Sequence, residues 1–394
     1  MNRSSADLSA TATAASGDVA KARFCVKAVE TFALEAPIER PVRNSWRTLT
    51  TRSALLVRVT DAEGAQGWGE VWCNYPPRGA RHRAGLIERV AAPMLIGREF
   101  DSPGAVFRFL EESLRIPAIT CGEPGPFAQI TAGIDIAVWD LAARRAGEPL
   151  WRYFGGTPTL NVYASGISPG QVEELATRAV RNGHRAAKLK VGFRSQEDRA
   201  NVAMLRSVLG DAGTLMLDAN QRWTLEEAAP AIGQLADFRL EWIEEPMAAD
   251  APVSAWQSLS RVSPVPLAAG ENLRGVAQFD EFVRSAALRF LQPDMGKWGG
   301  FTECVPLGRR AIAAGLRFCP HWLGGGIGLL ASLHLLGAVG AQGWGEVDAN
   351  PNPLQQRLLP ADFNVRAGQL TLADAPGLGY EPELAVIEEF RVKI

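Results

Sequence analysis

Apolar and polar residues alternate along the first part of the chain, and then the spacing changes. From about Phe24 to Glu70 the alternation predicts strands, with a hairpin turn centred on Ala62 to Gly64. Beyond it, apolar residues recur at intervals of three and four positions, which is typical of amphipathic helices. Helices are expected over three segments, 84–94, 105–114 and 127–146. We therefore predict a mixed α+β domain over residues 23–150.

Short apolar runs alternate with helical segments from about Gly156 onwards. Repeated strand and helix units of this kind predict a parallel barrel over residues 151–350. Its strands are expected over Val162–Ser165, Ala186–Val191, Leu215–Ala219, Leu240–Glu244, Leu267–Gly270, Phe290–Pro293, Phe318–His321 and Gly345–Val347. A Pro-rich stretch then ends this alternation of strands and helices. The C-terminal segment, 351–394, is predicted to form a hairpin over 364–372 and to return to the first domain.

Single polar residues stand at the ends of the apolar runs with an almost regular spacing. They are Lys190, Asp218, Glu244, Glu271, Asp294, His321 and Glu346, separated by 23 to 28 residues. One strand, one helix and two loops take roughly 25 to 30 residues, and parallel barrels carry their chemistry at the carboxyl ends of the strands. The mouth of the predicted barrel therefore collects a lysine, a histidine and several acids.

The charge balance lacks the signatures of nucleic-acid and membrane partners. The 394 residues include 41 Lys and Arg against 43 Asp and Glu, a formal net charge of −2, with no long run of like charge. No run reaches the roughly 18 to 20 apolar residues of a membrane span, and residues 1–22, a predicted disordered tail, lack the core of a signal peptide. The five cysteines form no C-x-x-C pair. We expect a cytoplasmic protein that acts on a small molecule.

Three acids end successive predicted strands in "LMLDAN", "EWIEEP" and "LAAGEN", namely Asp218, Glu244 and Glu271. Their carboxylates would meet over one mouth of the barrel, where mutual repulsion requires a cation. Oxygen donors alone suit a hard ion such as Mg²⁺. The alternative is that each acid caps a helix or forms a surface ion pair. The register of all three favours the metal.

Two lysines, Lys188 and Lys190, stand two residues apart in "AAKLKVG" and therefore lie on the same side of a strand. Two ammonium groups held together near a divalent cation should lower each other's pKa, which would make one amine a general base. The alternative is a solvated pair at a strand edge, and the apolar flanks argue against it.

One of the four histidines, His321, stands in "FCPHWLGGGIG" at a strand end. It can act as an acid or base near neutral pH, and Asp294 could accept its ring N–H and fix its tautomer. A purely structural histidine is the alternative. The glycine cluster 324–328 lacks the spacing of a phosphate-binding loop, and we expect it to allow a tight turn into a helix.

These motifs together resemble the enolase superfamily, and within it the mandelate racemase subgroup. The resemblance runs from about Phe24 to the C-terminus. It is carried by "KLK" at 188–190, "DAN" at 218–220, "IEEP" at 243–246, "GEN" at 270–272, "PDMGKWGG" at 293–300 and "PHW" at 320–322. It implies an α/β fold, a modified (β/α)₇β TIM-like barrel with an N-terminal α+β capping domain that the C-terminal segment completes.

The resemblance also implies roles for the residues at the strand ends. The three acids would bind one Mg²⁺ per subunit, with Mn²⁺ as a substitute. Lys190 would be the general base on one face of the substrate, and Lys188 would tune it. His321, oriented by Asp294, would act on the opposite face, and Glu346 would donate a hydrogen bond to a substrate carboxylate. Relatives similar to muconate-lactonizing enzymes carry a lysine where this chain has Asp294, so His321 is the expected second catalyst.

The implied reaction is removal of the proton α to a carboxylate, which gives an enediolate. If the adjacent carbon carries a hydroxyl, protonated His321 can assist its departure, and an acid sugar is dehydrated to a 2-keto-3-deoxy acid. Without that hydroxyl, reprotonation gives a racemase or epimerase of a 2-hydroxy acid. A non-catalytic ligand-binding relative is the third hypothesis. A homo-oligomer is expected from the family.

Substrate specificity is expected to come from the capping-domain loops "ERPVRNSWRT" and "VWCNYPPRG". Arginines there would suit an acidic substrate such as a sugar acid, although solvated loop residues are an equal alternative. Trp322 could form an apolar wall, which would favour the racemase. The candidate substrate contacts are Arg40, Arg43, Trp46, Asn74, Tyr75, Asn220 and Trp322.

Overall fold

An antiparallel sheet forms the N-terminal part of the chain, whose computed structural model describes residues 23–43 and 48–392. Its strands are β1 (Phe24–Arg43), β2 (Thr48–Asp61), β3 (Gln66–Val71) and β4 (Glu99–Phe100), in the spatial order β3-β2-β1-β4. The predicted turn is confirmed, because β2 and β3 pair and flank residues 62–65. The Asp61 carboxylate closes this turn by accepting the Ala65 N–H at 2.8 Å.

Helices cover one face of this sheet. They are α1 (Gly79–Leu86), which continues through a π-turn (Ile87–Ala91) into α2 (Ala92–Leu95), then α3 (Pro103–Thr120) and α4 (Pro124–Ala146). The long helix α4 packs closely on β3, because a Cβ at Gly67 would lie only 2.1 Å from the Ala137 carbonyl oxygen. Helix α4 is buried on nearly all sides, since the barrel helix that starts at Gly300 packs on it as well.

Eight parallel strands form the curled second sheet, as the sequence predicted. They are β5 (Thr159–Ile167), β6 (Ala186–Lys190), β7 (Thr214–Asp218), β8 (Leu240–Glu244), β9 (Leu267–Ala269), β10 (Phe290–Leu291), β11 (Arg317–Phe318) and β12 (Gly345–Asp348). Their hydrogen-bonded order is β11-β10-β9-β8-β7-β6-β5-β12. The register aligns the strand ends, because Lys190 pairs with Asp218 and Asp218 with Glu244.

Helices connect each of these strands to the next. After the short α5 (Leu150–Tyr153) they are α6 (Val172–Arg181), α7 (Ser195–Leu209), α8 (Leu225–Gly233), α9 (Val253–Val262), α10 (Val276–Ser285), α11 (Gly300–Ala313) and α12 (Gly326–Ala338). Seven connecting helices between eight strands, all in the described part of the chain, make a (β/α)₇β arrangement. The predicted fold class is confirmed.

The C-terminal segment crosses from the barrel back to the first sheet. After α13 (Pro353–Gln356), the predicted hairpin over 364–372 is only partly correct: Arg366 and Gln369 close a tight turn, but strand β13 (Gln369–Thr371) pairs with β5 of the barrel. After α14 (Leu384–Phe390), the Val392 N–H donates to the Ala33 carbonyl at 2.9 Å. The exact domain bounds stay a prediction.

The predictions about membrane-spanning segments and about the cysteines can be compared with the described residues. In 23–43 and 48–392, no helix is long and apolar enough to cross a membrane. The cysteines, all within these ranges, are free thiols.

A buried histidine makes the stability of the fold sensitive to acid. His334 in α12 is 0% exposed, its Nδ1 accepts the Trp151 N–H at 3.1 Å, and burial lowers its pKa from 6.5 to about 3. An unfolded chain takes up this proton near pH 6.5, whereas the folded chain resists it. The stabilisation is therefore complete above pH 6.5 and is lost as the pH falls towards 3, by roughly 1.4 kcal/mol per pH unit.

Replacement of His334 by Asn keeps an acceptor for the Trp151 N–H but removes the titration. Between pH 6.5 and 5 we expect the parent chain to lose about 2 kcal/mol more of its free energy of unfolding than the variant does. Urea titrations of both proteins at the two pH values measure this difference. Parallel losses in parent and variant would show that His334 is not responsible.

Candidate active site

The carboxyl ends of β6 to β9 bring the predicted acids together. Asp218 and Glu244 are the last residues of adjacent strands and are each 1% exposed. Glu271 follows β9 by two residues, after Gly270, whose φ of 149° allows the chain to pass within contact of the Gln292 backbone. Burial side by side forces these carboxylates to find cationic partners.

The two predicted lysines supply part of that charge. Lys190 Nζ lies 2.5 Å from Asp218 Oδ2, and Lys188 Nζ lies 2.7 Å from Glu244 Oε2 and 2.9 Å from Glu346 Oε1. Both ammonium groups are buried within a cluster of carboxylates. The lysines thus lie on the same side of β6, as expected from their spacing.

In this arrangement the carboxylates raise the pKa of both lysines, and the lower pKa expected beside a divalent cation stays a prediction. Burial lowers the pKa of Lys190 most strongly, and Lys188 lowers it as well, but the carboxylates of Asp218, Glu244 and Glu271 together outweigh them and raise it. The pKa of Lys188 is raised well above its usual value, because Glu244 and Glu346 outweigh the effect of burial. The sequence reasoning underestimated the number of acids around each amine.

The predicted contact between His321 and Asp294 is confirmed. His321 Nδ1 lies 2.8 Å from Asp294 Oδ2, while the other Asp294 oxygen accepts the N–H groups of Gly296 and Lys297. His321 Nε2 lies 2.5 Å from Glu271 Oε2. Burial lowers the pKa of His321, but Glu271, Glu346 and Asp294 outweigh it and raise the pKa well above 6.5, so the imidazolium is favoured.

Glu346 accepts hydrogen bonds from several sides. Its carboxylate accepts from the Ser165 hydroxyl, from Lys188, and from the Trp322 N–H at 3.0 Å. Burial raises its pKa, but Lys188 and His321 outweigh this and lower it to about 2. Glu346 is therefore an anionic acceptor here, whereas the hydrogen bond to a substrate that the family resemblance implies requires a protonated acid. That role stays a prediction.

The buried and partly buried charged groups at the barrel mouth do not balance in formal charge. Six carboxylates face four basic side chains in the described residues, counting His321 as protonated. We call this set the mouth cluster: Asp218, Glu244, Glu245, Glu271, Asp294, Glu346, Lys188, Lys190, Lys297 and His321. With every acid ionised, the formal excess is two negative charges, which one divalent cation would neutralise. Burial and the neighbouring acids oppose full ionisation: they raise the pKa of Glu245 well above its usual value and, despite Lys188, that of Glu244 to about 7.

The donor set fits a hard divalent ion, although its present arrangement is not that of a bound metal. Within the described ranges, no three His, Cys, Asp or Glu side chains converge with metal-binding geometry. Asp218, Glu244 and Glu271 each contact a basic side chain of the cluster instead. An Mg²⁺ ion would compete with these internal cations for the same carboxylate oxygens.

Several members of this region escaped the sequence reasoning. Glu245 is 1% exposed and accepts from Asn272 at 2.9 Å. Gln292 donates to Glu244 Oε2 at 2.6 Å. Lys297 donates to Asn272 at 3.0 Å and lies over the Trp72 ring of the N-terminal domain. The motif "PDMGKWGG" contains Lys297 and follows Gln292 directly, and its spacing from "IEEP" was the available signal.

Four of the seven predicted substrate contacts lie in the described part of the structure at or near the chain surface or the site. Asn220 joins the site, since its N–H and side-chain amide both donate to Asp218. Arg40 pairs with Glu174 of α6, and Tyr75 is 48% exposed. Asn74 donates to the Leu323 carbonyl beside the site.

Of the remaining three predicted contacts, one is buried away from any substrate and the side chains of two lie outside the described part of the structure. Trp322 is 0% exposed and packs against glycines, so it supports a loop rather than forming the wall of an open pocket. Arg43 ends β1, and its side chain is outside the described part of the structure, as is the whole of Trp46.

Comparisons with known proteins place the chain in a family. Residues 28–155 match the family described as mandelate racemase/muconate lactonizing enzyme, N-terminal domain, and residues 171–386 match the enolase C-terminal domain-like family. The crystal structure of a mandelate racemase/muconate lactonizing enzyme from Bordetella bronchiseptica is 48% identical, with a TM-score of 0.88, over 93% of this chain and 99% of that chain. A racemase structure from Streptomyces coelicolor with bound magnesium is 27% identical, with a TM-score of 0.84, over 93% and 100%.

Curated relatives are enzymes with different reactions. D-galactarolactone cycloisomerase from Agrobacterium fabrum is 29% identical over 93% of this chain and 99% of its own length. Arabinonate dehydratase from Saccharolobus solfataricus is 27% identical over 78% and 83%. The chain therefore belongs to the mandelate racemase/muconate lactonizing enzyme family of the enolase superfamily.

Proposed function

We propose that the chain is an Mg²⁺-dependent acid-sugar dehydratase that forms a 2-keto-3-deoxy acid. The supporting observation is the order of groups along the barrel mouth. Lys190 on β6 and His321 after β11 flank the row of Asp218, Glu244 and Glu271, and each contacts the nearest acid of that row. A substrate held over the row would meet a proton carrier on either side.

Each residue then has a defined task. Asp218, Glu244 and Glu271 hold the ion, and Mg²⁺ when bound supplies positive charge that stabilises the developing enediolate. Lys190 takes the α-proton as the neutral amine, a form that separation from the Asp218 carboxylate favours, because Asp218 is the acid that raises its pKa most. Protonated His321, held by Asp294 at Nδ1, gives its Nε2 proton to the departing β-hydroxyl. Lys188 contacts Glu244 and Glu346 and, through its nearby positive charge, tunes the pKa of Lys190.

The choice of substrate rests on the relatives as well as on charge. Among the curated relatives are enzymes named for sugar acids and their lactones, at 27% to 35% identity. One Mg²⁺ per subunit, Mn²⁺ as a substitute and a homo-oligomer remain parts of the proposal.

Incubation with Mg²⁺ and a panel of sugar acids tests the proposed reaction. We expect a 2-keto acid to accumulate with at least one member of the panel, detected with semicarbazide, and Mn²⁺ to support the same product. Exchange of the α-proton in D₂O without any keto acid would favour a racemase or epimerase instead. Neither exchange nor product, across both sugar acids and simple 2-hydroxy acids, would favour a non-catalytic relative.

A further inference from the structure

A carboxylate of the N-terminal domain reaches the loop that follows His321. Glu70, near the end of β3, is 1% exposed. Its Oε1 accepts the Gly325 N–H at 2.5 Å and its Oε2 accepts the Gly328 N–H at 2.8 Å. These amides open helix α12, whose N-terminal N–H groups have no partners within the helix. Because the N-cap residue Gly325 has no side chain, Glu70 supplies the cap from another domain.

The segment held in this way is packed around one buried ring. A Cβ at Gly328 would lie 1.8 Å from the Trp322 ring, and one at Gly324 or Gly296 would lie within 2.5 Å of it. The Trp322 indole N–H donates to the Gly325 carbonyl at 3.0 Å. The glycine cluster therefore makes room for an indole ring and for Glu70, which gives it a purpose that sequence reasoning did not find.

This packed segment adjoins two members of the mouth cluster. Trp322 follows His321 directly in the chain, and its N–H donates to Glu346 Oε2 at 3.0 Å. Asn74, also from the N-terminal domain, donates to the Leu323 carbonyl. A shift of the segment 322–328 would therefore displace His321 and remove a hydrogen bond from Glu346.

We propose that Glu70 is a positioning residue that couples the seat of the capping domain to the placement of His321. This inference rests on the proposed function for the role of His321. Glu70 contacts the loop amides and not the reacting groups, so it acts through Trp322 and the first turn of α12. When the capping domain is correctly placed on the barrel, His321, the proton donor on one face of the substrate, is held in the position needed for reaction.

Glu70→Gln is the appropriate variant, with a matched control. The carboxamide keeps one oxygen acceptor but presents an N–H₂ group to the second loop amide, which leaves that amide without an acceptor. Asp140→Asn is the control, because Asp140 is also a buried acid of the N-terminal domain that accepts two backbone N–H groups. These are the N–H groups of Trp68, at 2.8 Å, and Leu378, at 2.6 Å, and neither belongs to the segment that follows His321. The melting temperatures of both variants are measured first. An effect that appears in Glu70→Gln and not in an equally destabilised Asp140→Asn is then due to positioning and not to general loss of stability.

The first readout is amide hydrogen exchange, which needs no substrate. In Glu70→Gln we expect faster exchange confined to peptides covering 322–330, while Asp140→Asn leaves these peptides protected. Unchanged protection of 322–330 in Glu70→Gln would overturn the proposal. This result can be obtained even if the proposed dehydratase reaction fails, so the two failures remain distinguishable.

The second readout is the fate of the substrate's α-proton. Misplaced His321 should slow β-hydroxyl loss while Lys190 continues to remove the proton, so the ratio of α-proton exchange in D₂O to keto-acid formation should rise by roughly 10- to 100-fold in Glu70→Gln. Asp140→Asn should leave this ratio within about twofold of the parent. A merely structural role lowers both rates together, and an unchanged ratio would contradict the proposal.

Discussion

Replacement of Lys190 by Met is expected to abolish α-proton removal while leaving the metal site intact. The general base contributes about 10² to 10⁴ in rate, so both α-proton exchange and keto-acid formation should fall on the order of 10³-fold. The same change frees Asp218 from the ammonium group 2.5 Å away. Calorimetry should therefore find that the variant binds Mg²⁺ at least as tightly as the parent, because one competitor for that carboxylate is gone.

Lys27→Met is the matched control for this prediction. Lys27 is exposed on β1, so its loss removes a lysine without touching the mouth cluster. Equal activity of the control and the parent, with the Lys190 variant inactive, supports the assignment. If the Lys190 variant still exchanges the α-proton, the general base is a residue other than Lys190.

Replacement of His321 by Asn should separate the two halves of the reaction. Asparagine cannot give a proton to a departing hydroxyl, so keto-acid formation should fall by about 10²- to 10⁴-fold. Lys190 lies on the other side of the acid row, so α-proton exchange in D₂O should persist. The expected variant is an enzyme that exchanges the α-proton of the substrate but forms almost no keto acid.

His82→Asn serves as the control for the histidine. His82 is about two-fifths exposed, pairs with Glu123 and has no contact with the mouth cluster, so the variant should form keto acid at the parent's rate. Loss of both exchange and elimination in the His321 variant would mean that His321, rather than Lys190, removes the α-proton.

The sequence was sufficient to predict the barrel and the residues at its mouth. Strand ends carry a regular spacing because each strand and helix unit occupies nearly the same length, so the positions of Asp218, Glu244 and Glu271 could be read directly. The pairing of His321 with Asp294 was also predictable, because their strands are neighbours. Local periodicity and parallel register therefore account for the correct part.

Pairings that depend on side-chain direction inside the mouth could not be read in the same way. Against the effect of burial, the carboxylates of Asp218, Glu244 and Glu271 together raise the pKa of Lys190. Against the same effect, Glu244 and Glu346, which approach only once the strands curl, raise the pKa of Lys188. The anionic state of Glu346 likewise depends on Lys188 of β6 reaching past β5 to β12. Spacing along one strand gives no information on these contacts.

Contacts between the domains were beyond sequence reasoning for another reason. Glu70 and Gly325 are 255 residues apart, and neither position alternates or repeats in a way that indicates the other. The burial of Trp322 depends on glycines from two separate loops, including Gly296. Such placements follow from how the capping domain sits on the barrel, which no local pattern records.

Calorimetric titration with Mg²⁺ tests the central claim, that Asp218, Glu244 and Glu271 together hold one divalent ion. The parent chain should bind one Mg²⁺ per subunit, and Asp218→Asn, which removes one of the two excess negative charges of the cluster, should bind at least about tenfold more weakly. Asp211→Asn, a change of an exposed acid paired with Arg239, should bind like the parent. Absence of Mg²⁺ uptake by the parent, or equal affinity in Asp218→Asn, would contradict the account.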